Sequence, residues 1–213
     1  NGEWLWPKGS GTADAPIKID KYGGDALPVI NGMGIDRGMN YSGAVHLRNQ
    51  EYWEIRNLEV TNDDDFDVDI DLSRPQGDNS WSSQAETRNG ILIIADGDLL
   101  NDGDDGIFDH IYIENCYVHD VDGPNDWNDT FTGGIIYNVV GTKIRPNTSF
   151  RDIRIAYNTI RKGDLLGITG FVQMAKSGYQ DDVDTYNLWM EDIYIGHNYI
   201  EDVAQGGIDL CDA

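Results

Sequence analysis

The amino-acid sequence predicts an all-β solenoid, in which short strands of one repeating unit stack coil upon coil, and three features carry that prediction. The first is a frame of alternating apolar residues: Trp53, Ile55 and Val60; Ile111, Ile113 and Val118; Ile153, Ile155 and Ile160; Ile193, Ile195 and Ile200. Alternation with a period of two marks a strand with one face buried, and its return in one frame is an internal repeat. The second is an asparagine after each alternating run, at Asn57, Asn115, Asn158 and Asn198. Asparagine tolerates left-handed backbone and hydrogen-bonds local backbone groups, so it suits a tight bend between short strands. These four residues are expected to stack as equivalent corners along one edge of a parallel solenoid. The third is a set of runs that open with glycine: GAVHL at Gly43, GILII at Gly90, GGIIY at Gly133, GITGF at Gly167 and GGIDL at Gly206.

The unit therefore reads strand, long turn, strand, asparagine corner, strand, turn, with loops inserted at the two turns that lack asparagine. Through IRNLEV, IENCYV, IAYNTI and IGHNYI, each paired with a G(G)I run, roughly residues 43–212 resemble the right-handed parallel β-helix proteins of the pectate-lyase-like superfamily. The resemblance implies a right-handed parallel β-helix of about five coils with long inserted loops. It makes the G(G)I runs the first strand of each coil, the IxI runs the second and the residues after asparagine the third. It implies no single activity. That superfamily includes polysaccharide lyases, glycoside hydrolases, carbohydrate esterases and non-catalytic surface proteins, and a fold does not fix a function.

A chain of 213 residues fits one domain. Residues 1–42 read as an N-terminal cap and opening coil, and residues 43–213 as the coils. The net charge of −23 and pI of about 4.1 make nucleic acid and anionic membranes poor partners, and no apolar run reaches the roughly 18 residues that a membrane helix needs. The chain opens on Asn1 with no basic, apolar leader, which suggests a processed or trimmed start. It closes just after GGIDL, so a bare last coil is expected, met by a further chain or domain, because solenoids need capping. Cys116 reads as a third-strand residue and Cys211 as a first-strand residue about three coils on. At about 4.8 Å per coil the two lie roughly 14 Å apart along the axis, beyond the roughly 7 Å limit for a disulfide.

Taken in order, residues 1–42 carry Trp4, Trp6 and two short apolar runs, IKI at Ile17 and PVI at Pro28. Pro16 and Pro28 fit strand starts, where no ladder donor is lost. Trp4 and Trp6 read as a plug over the open core, with a sugar-stacking platform as the alternative. Residues 61–89 form a long insert with Asp63, Asp64, Asp65, Asp67, Asp69 and Asp71, either a calcium cluster or a solvated acidic loop. The better calcium candidate is DGDLLNDGDDGIFD. There Asp96, Asp98, Asn101, Asp102, Asp104 and Asp105 alternate with glycines that let backbone wrap an ion, against a bland acidic turn. Later inserts carry Trp127 and Phe131, then Lys176, Tyr179, Tyr186 and Trp189. Aromatic rings beside a groove stack on the C–H faces of sugars, or else pin loops to the coils.

If Val45, Ile91, Ile135, Ile168 and Ile208 align, alternation assigns His46, Leu92, Ile136, Thr169 and Asp209 to the outward row. A second outward row then holds Arg48, Ile94, Asn138, Phe171 and Cys211. With its middle partly apolar, this face is expected to be partly covered by loops. In the resembled enzymes substrate lies along the first-strand face. A lyase acting on a uronate needs a base and a cation, for which His46, Arg48, Lys176 and calcium are suppliers. A hydrolase needs two carboxylates about 5 to 9.5 Å apart, and Asp120 with Asp209 are candidates, though so acidic a chain always offers a pair. Arg161 and Lys162 would stack near Glu201 and Asp202, most simply as a structural charge ladder.

The expectation is a secreted or cell-surface β-helix that handles polysaccharide, part of a lyase or glycoside hydrolase, with structural calcium. Its rival is a non-catalytic surface or adhesive solenoid that binds glycan or assembles through its open end. A third reading takes the acidic excess as adaptation to high salt, which weakens the calcium argument without touching the fold.

Overall fold

A computed structural model of the chain describes residues 4–34, 42–63, 88–123, 132–141, 148–174 and 190–211. Among the described residues, fifteen strands wind into a parallel β-helix: β1 (Ile17–Ile19), β2 (Val29–Asn31), β3 (Ser42–Arg48), β4 (Trp53–Arg56), β5 (Glu59–Asn62), β6 (Arg88–Asp96), β7 (Ile107–Glu114), β8 (Tyr117–Val121), β9 (Gly133–Gly141), β10 (Ser149–Ala156), β11 (Thr159–Gly163), β12 (Leu166–Met174), β13 (Glu191–Gly196), β14 (Tyr199–Val203) and β15 (Gly206–Cys211). They form three five-stranded sheets, ordered β3-β6-β9-β12-β15, β1-β4-β7-β10-β13 and β2-β5-β8-β11-β14. These are the first-, second- and third-strand sheets of the expected unit, and every named pairing is parallel. No described helix is long and apolar enough to cross a membrane.

The repeat frame is the register. Ile17 pairs with Trp53, Trp53 with Ile111, Ile111 with Ile153 and Ile153 with Ile193. In the first-strand sheet, Val45, Ile91, Ile135, Ile168 and Ile208 form one row. The first four of these point inward with Ile55, Ile113, Val60, Val118 and Ile160 to make one continuous core, while Ile208, in the last coil, is exposed. In the middle coils, at Gly90, Gly134 and Gly167, the glycine that opens the run has a steric cause. A Cβ on Gly134 would stand 2.6 Å from Cγ2 of Ile160, and one on Gly167 2.8 Å from Cγ2 of Ile200. The first strand starts so close beneath the third-strand apolar column that there is no room for a side chain.

The asparagine corner is two columns rather than one. Asn57 and Asn115 take left-handed φ values of 52° and 55°, but in the next two coils Tyr157 and His197 hold that place, at 59° and 58°. Asn158 and Asn198 stand one residue later, in the column of Leu58 and Cys116, where they form a ladder along the axis. Asn158 donates from N and Nδ2 to Oδ1 of Asn198 at 2.9 and 3.0 Å, and its own Oδ1 accepts from the Cys116 N–H at 2.9 Å. Nδ2 of Asn158 and Nδ2 of Asn198 also reach the carbonyls of Ile113 and Ile155. Cys116 thus sits at the corner, outside β8, as a buried free thiol whose pKa burial pushes up to about 12. Two further left-handed columns, Tyr52/His110/Asp152/Asp192 and Asp120/Lys162/Asp202, carry no asparagine and were not anticipated.

At the N-terminal end, Leu5 makes a single parallel bridge to Val45 at the edge of the first-strand sheet. By alternation Leu5 packs against the core, Trp6 lies outside with its ring edge-on to His46 at 4.7 Å, and Trp4 is 42% exposed. The first coil is therefore closed over by Leu5 with Ile17, Ile19 and Ile30 rather than by the two tryptophans.

Candidate functional site

The three sheets differ in what covers them. β7 and β8 alternate buried and partly exposed residues, whereas β6 is buried at all nine positions and β9 at eight of nine. Continuous apolar runs such as GILII and GGIIY suit strands buried on both faces. The consequence is a second, smaller apolar cluster on the outside of the first-strand sheet: Leu92, Ile94, Ile136, Val140 and Phe171.

The two outward rows are those expected from the sequence, His46–Leu92–Ile136–Thr169–Asp209 and Arg48–Ile94–Asn138–Phe171, with the backbone of Cys211 in register after Phe171. His46, Asn138 and Thr169 are buried polar residues in these rows. Both ring nitrogens of His46, both amide atoms of Asn138 and Oγ1 of Thr169 lack a hydrogen-bond partner. Burial, reinforced by the charges of Arg48 and Lys8, pushes the His46 pKa down to about 3, so the imidazole is neutral at physiological pH.

Arg48 does not face this surface as a free cation. Its Nε donates to Oδ2 of Asp96 at 3.0 Å, and Nη2 forms an ion pair with the same oxygen. The backbone of Asp96 is clasped in turn by the Asn49 side chain, through Asp96 N–H to Oδ1 at 2.6 Å and Nδ2 to Asp96 O at 2.9 Å. Oδ1 of Asp96 accepts from the Asp98 N–H at 2.9 Å, capping a 3-10 turn over Gly97–Leu99. Arg48, Asn49 and Asp96 therefore lock the first coil to the second.

The remaining acidic candidates make local turns. Asp104 accepts from the backbone and side-chain amides of Asn101 at 2.7 and 3.2 Å, and Asp105 from the Ile107 N–H at 3.1 Å, while Asp102 is exposed. Among the described residues no three His, Cys, Asp or Glu side chains converge as metal ligands. Most of the 63–71 acidic run lies outside the described residues, as do Trp127, Phe131, Lys176, Tyr179 and Trp189.

His46, Asp120 and Asp209 are not brought to one point. His46 and Asp209 occupy opposite ends of one row, four strand spacings or about 19 Å apart. Asp120 belongs to the third-strand sheet, on another face. Its neighbour His119 bridges it at 2.6 Å to Glu59 at 3.3 Å, and Nζ of Lys162 lies 3.3 Å from its other oxygen. Burial opposes ionisation of Asp120, but the bonds from His119 and Lys162 outweigh it and hold the carboxyl below the usual range. Arg161 pairs with Glu201, so the foreseen ladder exists, with Lys162 reaching back to Asp120.

A comparable network missed in the sequence covers the second-strand sheet. His110 lies between Asp152 at 3.1 Å and Glu54 at 3.5 Å, Tyr112 donates to Asp152, and Arg56 bridges Glu54 and Glu114. Its signal was the left-handed column at 52, 110, 152 and 192, which no glycine or asparagine marks.

Comparison with known proteins places this geometry. No family model matches the chain. A curated lacto-N-biosidase of Bifidobacterium longum subsp. longum is 26% identical over an alignment of 262 residues that takes in all of this chain and 16% of the relative. The crystal structure of the GH136 lacto-N-biosidase from Eubacterium ramulus superposes with a TM-score of 0.72 in its selenomethionine form and 0.69 in its native form. Both are 23% identical, and they cover 97% and 94% of this chain but 34% and 33% of theirs. The chain spans about a third of the length of these solved structures and under a fifth of the curated relative, and what it shares with the solved structures throughout is the parallel β-helix.

Proposed function

We propose that this chain is the β-helical part of a glycoside hydrolase that acts on an uncharged oligosaccharide held along the outward face of the first-strand sheet. The observation that carries this is the alignment with a lacto-N-biosidase, which runs over the whole chain rather than one coil. The chemistry of the face supports it. The middle of the two rows is Leu92, Ile94, Ile136, Asn138, Thr169 and Phe171, with no charge among them, and the neighbouring cation Arg48 is neutralised by Asp96. A lyase is disfavoured on the same ground: elimination from a uronate needs a base and a cation, and here Arg48 is engaged with Asp96 while His46 is buried on the outer face with its ring against Trp6. Descent within the pectate-lyase-like superfamily and a secreted or cell-surface location belong to the same reading.

A non-catalytic glycan-binding solenoid is the second reading, and two observations favour it. The outward row is buried. Asp96 and Asp209, the carboxylates among the described residues of this face, stand three strand spacings and four residues of register apart, roughly 20 Å, wider than the roughly 5 to 9.5 Å a hydrolase uses.

The test is turnover of a chromogenic lacto-N-bioside together with binding to neutral and acidic glycans, with and without chelator. Hydrolysis of the neutral glycoside is the expected result. Saturable binding without turnover would move the case to the non-catalytic solenoid, and chelator-insensitive binding of pectate or alginate would overturn the preference for uncharged sugar.

A further inference from the structure

We propose that the open face of the coil formed by β13, β14 and β15 is a docking surface for one further parallel β-helical coil that is not a second copy of this chain. The coil it takes carries Lys or Arg over Glu191 and Glu201 and a side-chain oxygen over Asn198. This stands apart from the glycan reading above.

The face is apolar and its strands are unpaired on one side. β13, β14 and β15 each end one of the three sheets, and they hold no proline or lysine, the residues that blunt a sheet edge. Inward columns closed in the preceding coils open here. Val45, Ile91, Ile135 and Ile168 are 0% exposed and Ile208, in their row, is 52%; Leu47 and Ile93 are as well buried, and Leu210, in theirs, is 51% exposed. Ile153, Ile155 and Ile160 are buried, whereas Ile193, Ile195 and Ile200 beside them are only partly so. Apolar surface framed by three free strand edges is where a further layer of strands pairs.

Two polar patterns state the chemistry of what covers it. The corner ladder has a direction: the Cys116 N–H donates to Oδ1 of Asn158 and the Asn158 N–H to Oδ1 of Asn198, each at 2.9 Å. Each corner takes its acceptor from the coil that follows, so the Asn198 N–H calls for a side-chain oxygen in the occupant. Charge alternates along two outward columns, Asp109–Arg151–Glu191 and His119–Arg161–Glu201. The coil of β13, β14 and β15 holds Glu191, Asp192, Glu201, Asp202 and Asp209 with no Lys or Arg. A cation opposite each of the two glutamates continues both columns, and opposite charges facing each other across strands are stabilising.

A second copy does not fit. Stacked head to tail in the same register, its opening coil would set Ala15 over Glu191, Pro28 over Asn198 and Asn31 over Glu201, with neither a cation nor a corner oxygen. Stacked open face to open face, it would set carboxylates against carboxylates.

The probe for the test is this chain's own coil over residues 148–174. It has Arg151, Asn158 and Arg161 at the three places, and Ile153, Ile155, Ile160 and Ile168 at the apolar ones. A copy is fused after Ala213 of the full chain through glycine–serine linkers of about 12 and about 20 residues, which reach about 20 and 25 Å. Amide hydrogen exchange, melting and sedimentation are compared with those of the unfused chain. The expected result is exchange slowed at least ten-fold across β13, β14 and β15, and a melting temperature raised by several degrees, in a monomer. Arg151→Glu with Arg161→Glu, made in the fused copy alone, should cancel most of this gain, and Asn158→Ala there should restore fast exchange at the Asn198 N–H. Absence of protection at both linker lengths overturns the proposal. Protection undiminished by the charge reversal, or an Asn198 N–H still slow without the copied asparagine, also overturns it, since the face would then accept any apolar cover. Concentration-dependent protection of the same amides in the unfused chain, with a dimer or filament in sedimentation, gives the face to a second copy and overturns it as well. None of these outcomes bears on glycan binding or turnover, which fail or succeed by their own assays.

Discussion

His46 shows at the scale of one residue how much this architecture withdraws from water. Its ring is edge-on to Trp6, both nitrogens are unpaired, and burial with help from Arg48 and Lys8 moves its pKa from 6.5 to about 3. The sign of the pH effect follows. Below about pH 6.5 the unfolded chain takes up a proton that the folded chain refuses until about pH 3, so stability declines across that window as pH falls. His46→Leu should flatten this part of the acid limb in a series of melts between pH 7 and 4, and an unchanged slope would show that the imidazole is solvated after all. Tyr137 and Gly170 make the complementary point for shape. A Cβ on Gly170 would stand inside van der Waals contact of Cζ and Oη of Tyr137, so the break in GITGF is the hollow that receives a ring from the preceding coil. Nothing in either run announces that partnership, because it joins positions 33 residues apart.

Among the elements, the corner between the second and third strands separates two uses of asparagine. At Asn57 the residue serves its own backbone at φ 52°, with an exposed side-chain bond to Asp20 at 2.7 Å. At Asn158 it serves its neighbours, satisfying the Cys116 N–H and the Ile113 carbonyl from a buried position. Asn57→Ala should therefore cost about 1 kcal/mol, the order of a left-handed non-glycine residue. Asn158→Ala should cost about 3 kcal/mol, since buried backbone groups lose their partners. Chemical denaturation of the two variants checks the order, and equal losses would mean that the ladder adds nothing to the bend. Sequence pattern identified all four asparagines as corner residues. It did not separate the two columns, because a shift of one residue leaves the motif almost unchanged on the page yet turns the side chain from rim to core.

For the whole molecule, the net charge of −23 sets the background against which cross-coil ion pairs act. Lys18–Glu54, Arg56–Glu114, Arg154–Glu114, Arg151–Asp109 and Arg161–Glu201 tie successive coils. Exposed pairs of this kind are each worth little and weaken with salt. Repulsion among the excess carboxylates is long-ranged and is screened by the same salt. The melting temperature should rise between about 0.02 and 0.3 M sodium chloride, at the Debye lengths where that repulsion fades; a fall would mean that the ladders dominate. Calcium remains a proposal for residues 96–105, narrowed by the ties of Asp96 to Arg48, Asp104 to Asn101 and Asp105 to Ile107. An ion bound only by the folded state stabilises it by mass action. Chelator at fixed ionic strength should then lower the melting temperature, and no shift would remove the ion from the account.

What the amino-acid sequence determined by itself was what depends on period within the strands: the strands, the three strands per coil, the row from Val45 to Ile208 and the inward or outward sense of the first-strand side chains beside it. In a parallel solenoid equivalent residues stack at a constant spacing, so a repeat in one dimension is already a contact map. What only the tertiary structure decided was whatever depends on the neighbours of a row rather than on the row. Outward Leu92, Ile136 and Thr169 turned out to be buried, Asp96 was taken by Arg48, His119 was held between Glu59 and Asp120, and His46 and Asp209 were set at opposite ends of one face. Alternation states which side of a sheet a residue faces. It carries no information about the pairing of a charge with one 40 or 60 residues away, because that pairing is chosen by distance in the folded coil.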